Sequence, residues 1–502
     1  MAEINIAKGP FEPSFESLRQ YECPEWFKDA KLGIWSHWGP QSVPMYGDWY
    51  ARAMYYEGSE QYRYHIRRFG HPSEFGYKDI IRMWKAEKFD PEALMDLYAA
   101  AGAKYFVSQA MHHDNFFNYN SGIHRWNSVN MGPHKDIVAL WKAAAVRKGL
   151  PFGLTEHMGA TFTWWAVNKG CDREGLYAGI PYDGSDPAYE DLYLPNHEHY
   201  DPDEKLVYFL PYTGNQWWRR RWLDVIKEVI DLYQPELLYI DGVLPFGDNE
   251  AGVKASMPVP TGVDEICKIG LQAAAHLYNT SAALHGGVNR AVLTQKDRRR
   301  EVYSVGVLDM ERSQAPDIRP DSWQACSCVG GWFYDVRQVY KTPGHVIEML
   351  VDIISKNGNL LLNIPQKPDG TLDSECIYIL KEMAKWNKIC SEGVYGTRPF
   401  RVAGEGPSGA DSGGQAEKAV EWTASDFRFT GKGNMLYAFQ MKWPQNNKAV
   451  ISSLLPGERV KRIRLLGAGE VTFERQYHML TVNLPERKPT QYVNCLAIEL
   501  EK

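Results

Sequence analysis

The chain lacks the features that define several large classes of protein. Its 502 residues contain no apolar run of 18 residues, so no membrane-spanning helix is predicted. Lys and Arg number 56 against 62 Asp and Glu, and the net charge of -6 offers no general attraction for nucleic acid or an anionic membrane. The first residues show no signal-peptide pattern. A periplasmic or secreted location is expected only if a signal peptide has been removed.

Cysteine is too sparse and too scattered to form a disulfide framework. The eight cysteines are spread over the chain, and Cys326 and Cys328 form C-x-C rather than a paired zinc motif. The sequence also lacks a His-Glu-x-x-His motif, a calcium loop and a glycine-rich phosphate loop after the first predicted strand. We therefore expect neither a cofactor nor a metal ion.

Aromatic residues, by contrast, are abundant. The chain has 17 Trp, 29 Tyr and 19 Phe, and its 44% hydrophobic and 24% charged residues are typical of a packed globular protein. Many of these rings belong in a core, but a surplus of Trp and Tyr also suits stacking against the faces of sugars. The length indicates more than one domain.

Residues 1–395 alternate short apolar runs with amphipathic helical stretches, a pattern typical of a parallel α/β fold. The predicted strands cover residues 31–39, 103–114, 150–157, 236–242, 291–294, 302–311 and 358–365. Helices are predicted between them at 90–102, 136–149, 216–234, 262–278 and 342–356.

Most of these predicted strands end in polar or ionisable residues. The strand-end residues are His37, His112, His113, Glu156, His157, Asp241, Asp309, Glu311 and Asn363. In a (β/α)8 barrel such side chains converge on one mouth, where catalytic groups lie. An open doubly wound sheet is the alternative, but its phosphate loop is absent. The pattern favours a (β/α)8-like TIM barrel.

The last hundred residues have a different pattern. A stretch rich in Gly, Ser and Pro at 403–415 predicts an exposed loop or linker. The runs 434–443, 460–467, 477–485 and 492–500 alternate apolar and polar residues with turn residues between them. We therefore predict a C-terminal antiparallel β-sandwich over residues 396–502.

Two acidic residues are the strongest candidates for chemistry. Asp241 ends an apolar run, where a carboxylate is costly to bury without partners, and Glu311 ends a later strand. Two carboxyl groups across a barrel mouth are the equipment of a glycosidase, one as nucleophile and one as acid and base. Glu156 competes for either role, Asp309 and Glu301 less strongly. A structural hydrogen bond at the strand end is the alternative role for Asp241.

The histidine pair has two interpretations. His112 and His113 suit either contacts with sugar hydroxyls or a metal site. Because neighbouring residues on a strand point to opposite faces, we expect at most one of them to face the mouth.

Several blocks of the sequence, in order, resemble the family-29 glycoside hydrolases, the retaining α-L-fucosidases. They include "KLGIWSHWGP", "SQAMHHDNF", "LYIDG" and "SWQACSCVGGWFY", and they lie within 26–44, 101–116, 126–138, 238–242, 322–334, 350–365 and 392–400. The resemblance implies a (β/α)8-like barrel followed by a β-sandwich. It also implies an exo-acting retaining hydrolase that releases terminal α-L-fucose from a glycan or polysaccharide.

The resemblance also assigns roles to individual positions. Asp241 matches the family nucleophile, and Glu311 lies where the acid/base is expected. His37, His112 and His113 match sugar-contacting positions, and Asp48 with Trp49 stands where many members have Glu-Trp. Departures at Met111, Asn115, 154–157 and Tyr239 lie near the expected pocket, where Glu156, His157 and Tyr239 are further candidate sugar contacts.

Three activities besides fucose release are consistent with these residues. Polar Glu156 and His157 favour an α-L-galactosidase, because L-galactose is L-fucose with an added hydroxyl. Its substrate would be a polysaccharide, with or without sulfate groups. The second alternative is sugar binding without catalysis, as in a catalytically silent carbohydrate-binding relative. The third is metal-dependent hydrolysis using His112 and His113. The oligomeric state is not predicted.

Overall fold

A computed structural model describes residues 5–201, 203, 213, 215–245, 268–410 and 417–501. Eight parallel strands close into a barrel in sequence order, and this confirms the predicted (β/α)8-like barrel. The strands are β1 Leu32–Ser36, β2 Tyr105–Gln109, β3 Phe152–Glu156, β4 Leu237–Ile240, β5 Val292–Gln295, β6 Val307–Glu311, β7 Trp323–Cys328 and β8 Gly358–Asn363.

The helices surround the barrel or lie in the loops above it. They are α1 Phe15–Leu18, α2 Glu25–Ala30, α3 Tyr50–Ala53, α4 Glu60–Arg68, α5 Tyr77–Met83, α6 Pro91–Ala101, α7 Ile137–Arg147, α8 Thr161–Trp164, α9 Glu190–Tyr193, α10 Gln216–Tyr233, α11 Lys268–Leu284, α12 Arg300–Tyr303, α13 Pro343–Ser355 and α14 Ser374–Cys390. The predicted helix 262–278 corresponds to α11, and its first residues lie outside the described ranges. Within the described ranges, no helix is both long and apolar enough to span a bilayer.

The interior of the barrel is filled by side chains that form a floor under its mouth. Gly33 on β1 leaves room for the ring of Tyr105, which lies 2.2 Å from the position that a Cβ of residue 33 would occupy. The Tyr105 hydroxyl donates to Oε1 of Gln324 at 2.9 Å across the barrel. Trp35 and Tyr239 pack above it with ring centroids 5.1 Å apart. The mouth is therefore closed from below.

The C-terminal region forms two antiparallel sheets, as predicted. The six-stranded sheet has the order β14-β13-β17-β11-β10-β9, and the three-stranded sheet has the order β12-β16-β15. The strands are β9 Arg398–Glu405, β10 Phe427–Lys432, β11 Met435–Gln440, β12 Lys448–Ile451, β13 Val460–Leu465, β14 Gly469–Glu470, β15 Phe473–Gln476, β16 Met479–Asn483 and β17 Asn494–Leu500.

The predicted linker at 403–415 is wrong in its first residues. Gly404 and Glu405 belong to β9 and pair with Arg428 and Phe427 of β10. A side chain at residue 404 would clash here, because the carbonyl oxygen of Phe427 lies 2.2 Å from the position that a Cβ of Gly404 would occupy. The strand therefore contains glycine for a packing reason, and the glycine-rich composition wrongly indicated a linker. Residues 411–415 of the predicted linker lie outside the described residues.

A buried ionic cluster joins the barrel to the C-terminal sheet. Asp352 on α13 pairs with Arg428 on β10 and with Lys356 at 2.9 Å. All three side chains are buried, and the Arg428 guanidinium also lies over the Trp422 ring. Because a buried charge is costly unless paired, this cluster couples the packing of the two parts.

Candidate active site

A cavity of about 600 Å³ opens at the carboxyl ends of the barrel strands. It is lined by Trp35, His37, Gly47, Asp48, Trp49, His112, His113, His157, Tyr239, Asp241, Lys296, Glu311, Arg312, Gly331, Trp332, Phe333, Asp335 and Gln338. The barrel mouth thus brings together all the predicted site residues except Glu156. Its size suits a small polar ligand with part of a larger molecule outside.

Asp241 follows directly on β4 and points into this cavity. Its backbone N–H donates to the Glu156 carbonyl oxygen at 3.0 Å, which continues the β3–β4 ladder by one residue. Gly242 then turns the chain away with φ 124°, a conformation that favours glycine. The strand end therefore fixes the position of the Asp241 carboxylate.

Three cationic or imidazole groups surround the Asp241 carboxylate. Nζ of Lys296 lies 2.5 Å from Oδ1, while Nδ1 of His157 and Nε2 of His113 lie 3.0 and 3.4 Å from Oδ2. Burial alone would raise the pKa of Asp241, but the Lys296 ammonium and the His157 imidazole hold it well below its usual value. Asp241 is therefore ionised and well placed to act as a nucleophile.

Glu311 faces Asp241 across the Lys296 ammonium. Nζ of Lys296 lies 2.5 Å from Oε2 of Glu311 as well as 2.5 Å from Oδ1 of Asp241. Because both carboxylate oxygens lie 2.5 Å from the same Nζ, they are at most 5.0 Å apart. Retaining glycosidases hold their carboxyl groups about 5–5.5 Å apart, whereas inverting enzymes need about 6.5–9.5 Å to admit water. The spacing fits the retaining arrangement.

Lys296 is the functional residue that sequence reasoning missed. Burial would lower the pKa of this ammonium, but Asp241 and Glu311 raise it well above its usual value. Its position directly after β5 follows the rule that identified the other strand-end residues. The available signal was therefore the ionisable residue shortly after the predicted strand 291–294.

Four histidines form one wall of the cavity. His112 lies 4.9 Å from His37, 4.5 Å from His113 and 4.7 Å from His157 between ring centroids. Burial and the neighbouring imidazoles lower the pKa of His37 and of His112 well below the usual value, so both are neutral. Neutral imidazoles can both donate to and accept from hydroxyl groups.

The expectation that only one of His112 and His113 faces the mouth is wrong. Strand β2 ends at Gln109, so the alternation of a strand no longer applies at these two positions. Both rings line the cavity.

Glu156 lies behind the cavity wall and does not line the cavity. Its side chain is fully buried, and its Oε2 accepts from the Met158 N–H at 2.8 Å and from Nε1 of Trp222 at 3.0 Å. Burial raises its pKa to about 8, so this carboxyl is protonated at neutral pH. The predicted sugar contact of Glu156 is wrong, because the strand end turned this side chain toward α10.

The remaining acidic candidates differ in where they lie. Asp309 lies below Glu311 on β6, where it is buried against Gln324 and Cys326 and does not line the cavity. Glu301 is exposed on α12. Asp48 does line the cavity, accepts from the Trp49 N–H at 2.9 Å, and has its pKa raised to about 7 by burial.

Two groups of side chains have the spacing of metal ligands. One ligand atom each from His112, His113 and His157 lies within 4.8 Å of the others, and the same holds for His37, Asp48 and His112. Nδ1 of His157 also lies against Asp241, so a metal there would compete with this carboxylate. These groups give a metal-dependent hydrolase a defined location for its ion.

Comparison with known proteins shows the same relationship in sequence and in fold. The family model described as alpha-L-fucosidase matches residues 1–392, and that described as alpha-L-fucosidase C-terminal domain matches residues 420–499. Tissue alpha-L-fucosidase of Rattus norvegicus is 26% identical over 497 residues, which cover 96% of this chain and 90% of that protein. Plasma alpha-L-fucosidase of Homo sapiens is 26% identical over 485 residues, covering 92% and 85%.

Solved structures share the architecture. The structure of Thermotoga maritima alpha-fucosidase in complex with fucose superimposes with a TM-score of 0.71 at 22% identity, covering 97% of this chain and 100% of that one. Alpha-L-fucosidase isoenzyme 1 from Paenibacillus thiaminolyticus gives a TM-score of 0.63 at 20% identity, covering 97% and 100%. The barrel with its C-terminal sheets is therefore the fold of these proteins.

The buried carboxyl of Glu156 predicts a pH-dependent stability. Its pKa rises from about 4.3 in the unfolded chain to about 8 in the fold. The native state therefore loses stability as pH rises between these values, because only the unfolded state ionises freely. A Glu156→Gln variant stays neutral at this position and lacks this loss. The difference in melting temperature between the variant and the wild type should therefore increase in favour of the variant, by on the order of 5 °C from pH 5 to pH 8.

Differential scanning fluorimetry at several pH values measures this gain. Glu486→Gln, at an exposed position, is the matched control and should run parallel to the wild type. Parallel curves for Glu156→Gln as well would show that Glu156 ionises in the native state.

Proposed function

The chain belongs to the α-L-fucosidase family of glycoside hydrolases, and on this premise we propose that it is an exo-acting retaining enzyme that releases terminal α-L-fucose from glycans or polysaccharides. The observation that carries the proposal is the pair of carboxylates, Asp241 and Glu311, whose nearest oxygens lie within 5.0 Å of each other around one ammonium. This spacing is that of the carboxyl pairs of retaining glycosidases and is shorter than the one that inverting enzymes need to admit an attacking water.

In the first step, Asp241 attacks the anomeric carbon. A bond forms from its carboxylate oxygen to that carbon while the glycosidic C–O bond breaks, and Glu311 gives its proton to the leaving oxygen. Glu311 must therefore be protonated when the sugar is bound. A protonated carboxyl carries no charge, so the Lys296 ammonium then forms its ion pair with Asp241 alone.

In the second step, Glu311 acts as a base. It removes a proton from a water molecule, whose oxygen attacks the anomeric carbon as the bond to Asp241 breaks. Two inversions leave the sugar with its original anomeric configuration. The low pKa of Asp241 makes it a good leaving group for this step. Two carboxyl groups suffice for this chemistry.

The histidine wall and the rings hold the sugar. Neither ring nitrogen of His37 has a hydrogen-bond partner among the described residues, although the ring is buried at the cavity. Hydroxyl groups of a sugar would satisfy these nitrogens, because buried polar atoms usually have partners. His112, His113, Trp49 and Trp332 provide further polar and stacking surface.

The positions of Glu156 and His157 argue against an α-L-galactosidase. The sequence favours that activity only because Glu156 and His157 are expected to offer polar groups to the added hydroxyl. Glu156 lies outside the cavity, and the ring nitrogens of His157 lie 3.0 Å from Asp241 and 3.2 Å from Oγ1 of Thr155. Fucose is therefore the sugar that we propose.

A substrate screen tests this function. Aryl α-L-fucoside should be cleaved, with aryl α-L-galactoside cleaved more slowly and aryl β-D-galactoside not at all. Early NMR spectra should show α-L-fucose as the first product. The β anomer as the first product would contradict the retaining mechanism, and faster cleavage of the galactoside would favour the galactosidase.

The same screen distinguishes the proposed enzyme from a binding protein and from a metalloenzyme. Sugar binding without any hydrolysis would indicate a silent binding protein. Loss of activity on treatment with a chelator, restored by a divalent ion, would indicate a metal site at the histidines.

Variants of the two carboxylates should fail in different ways. Asp241→Gly should lower kcat by at least about 10³-fold, because the nucleophile is absent. Azide should restore turnover and give a glycosyl azide of inverted configuration. Glu311→Gln should slow a substrate with a poor leaving group by about 10²–10⁴-fold and a dinitrophenyl fucoside far less. Glu301→Gln, which removes an exposed carboxylate, is the control; near wild-type kcat in Asp241→Gly would end the assignment.

Lys296 should set the acid limb of the pH–rate profile. Its ammonium keeps Asp241 ionised against the effect of burial, so Lys296→Gln should raise the pH of the acid limb of kcat/KM by about 1–3 units. Lys296→Arg keeps the charge and should leave the limb close to that of the wild type. An unchanged limb in Lys296→Gln would show that the two histidines suffice to hold Asp241 ionised.

A further inference from the structure

One acidic residue of the C-terminal region contacts the rim of the barrel mouth. The segment between β9 and β10 carries Glu417, whose side chain is only 8% exposed. Its Oε2 lies 2.9 Å from Nζ of Lys341 and 3.4 Å from Nε of Arg312. These cations belong to the loops after β7 and β6, so one carboxylate of the C-terminal region joins two loops of the barrel.

Arg312 links this contact to the active site. It follows Glu311 directly, lines the cavity and has φ 45°, a left-handed conformation that is unfavourable for a residue with a Cβ. Its backbone N–H donates to the Cys326 carbonyl oxygen at 2.8 Å. The ladder bond and the ion pair to Glu417 together hold Arg312, and with it the backbone on one side of Glu311.

The charges around Glu311 come from several elements. Lys296 contacts Glu311 directly and shares this contact with Asp241. Asp48, Asp309, Cys326 and Tyr239 also lie close enough to interact with its charge. Arg312, the next residue along the chain, lines the same cavity. Glu417 in turn faces Arg312, Lys341, Cys328 and His345. Without Glu417, Arg312 and Lys341 would lose the carboxylate that offsets their positive charges at this rim.

We propose that Glu417 is a positioning residue for the acid/base Glu311, acting through Arg312. It fixes the direction of the guanidinium and offsets its charge, so that Glu311 can keep the proton that the first chemical step transfers. The inference rests on the proposed function, because it assigns Glu311 the role of acid. It makes a residue of the C-terminal region part of the machinery that sets the pH range of the barrel.

The pH profile of Glu417→Gln tests this inference. Uncompensated positive charge favours the ionised form of a nearby carboxyl, so the acid form of Glu311 should be lost at lower pH. We expect the basic limb of kcat/KM for an aryl α-L-fucoside with a poor leaving group to move down by about half a unit to one unit. The dinitrophenyl fucoside should change far less, since its leaving group needs no proton.

Two single variants provide controls. Glu421→Gln removes the same charge from an exposed position of the same loop and should match the wild type. Arg312→Gln removes the cation itself and should move the basic limb up instead of down. This opposite shift also tests the inference should Glu417→Gln fail to fold.

Double variants identify the path of the effect. In the Arg312→Gln background, Glu417→Gln should add at most a small residual shift from Lys341. In a His345→Gln background the shift should persist, which separates it from titration of His345. Superimposable profiles of the wild type and Glu417→Gln would overturn the inference. A wild-type protein that hydrolyses no fucoside would instead overturn the proposed function on which it rests.

Discussion

The structure of the active site depends on one ammonium group held between two carboxylates. Lys296, Asp241 and Glu311 come from the ends of three consecutive strands, β5, β4 and β6, which are neighbours in the barrel. The parallel barrel places these ends at one mouth, and only then can a single Nζ contact both acids. The closed order of strands is therefore what converts three distant sequence positions into one reactive centre.

The environment assigns different protonation states to carboxyl groups that lie close together. Asp241 has cationic and imidazole partners and stays ionised, whereas Glu156, at the end of β3 and hydrogen-bonded to Trp222, stays protonated. Asp48, partly buried at the cavity wall, lies between these extremes. The same functional group thus serves as nucleophile, as a neutral core residue and as a wall residue, according to its partners.

Sequence patterns predicted the fold and the carboxylate pair because both follow from periodicity. Apolar runs that end in an ionisable residue located Asp241 and Glu311, and the strand ends confirm their convergence on one cavity. The alternation of side chains along a strand gave a wrong expectation at His112 and His113, because β2 ends before them. The strand-end rule failed for Glu156, since side-chain direction at a strand end depends on tertiary packing against α10 that a single sequence does not encode locally. Lys296 was missed because the predicted strand ended at residue 294, whereas β5 continues to Gln295 and places Lys296 at its end.

The filled barrel interior determines the end of the barrel from which substrate and products reach the cavity. Tyr105, seated over Gly33, and the rings of Trp35 and Tyr239 block the barrel toward the amino ends of its strands. Within the part of the chain that the structure describes, ligands therefore reach and leave the cavity from the carboxyl ends of the strands. Product release and the entry of the next substrate molecule share this end of the barrel.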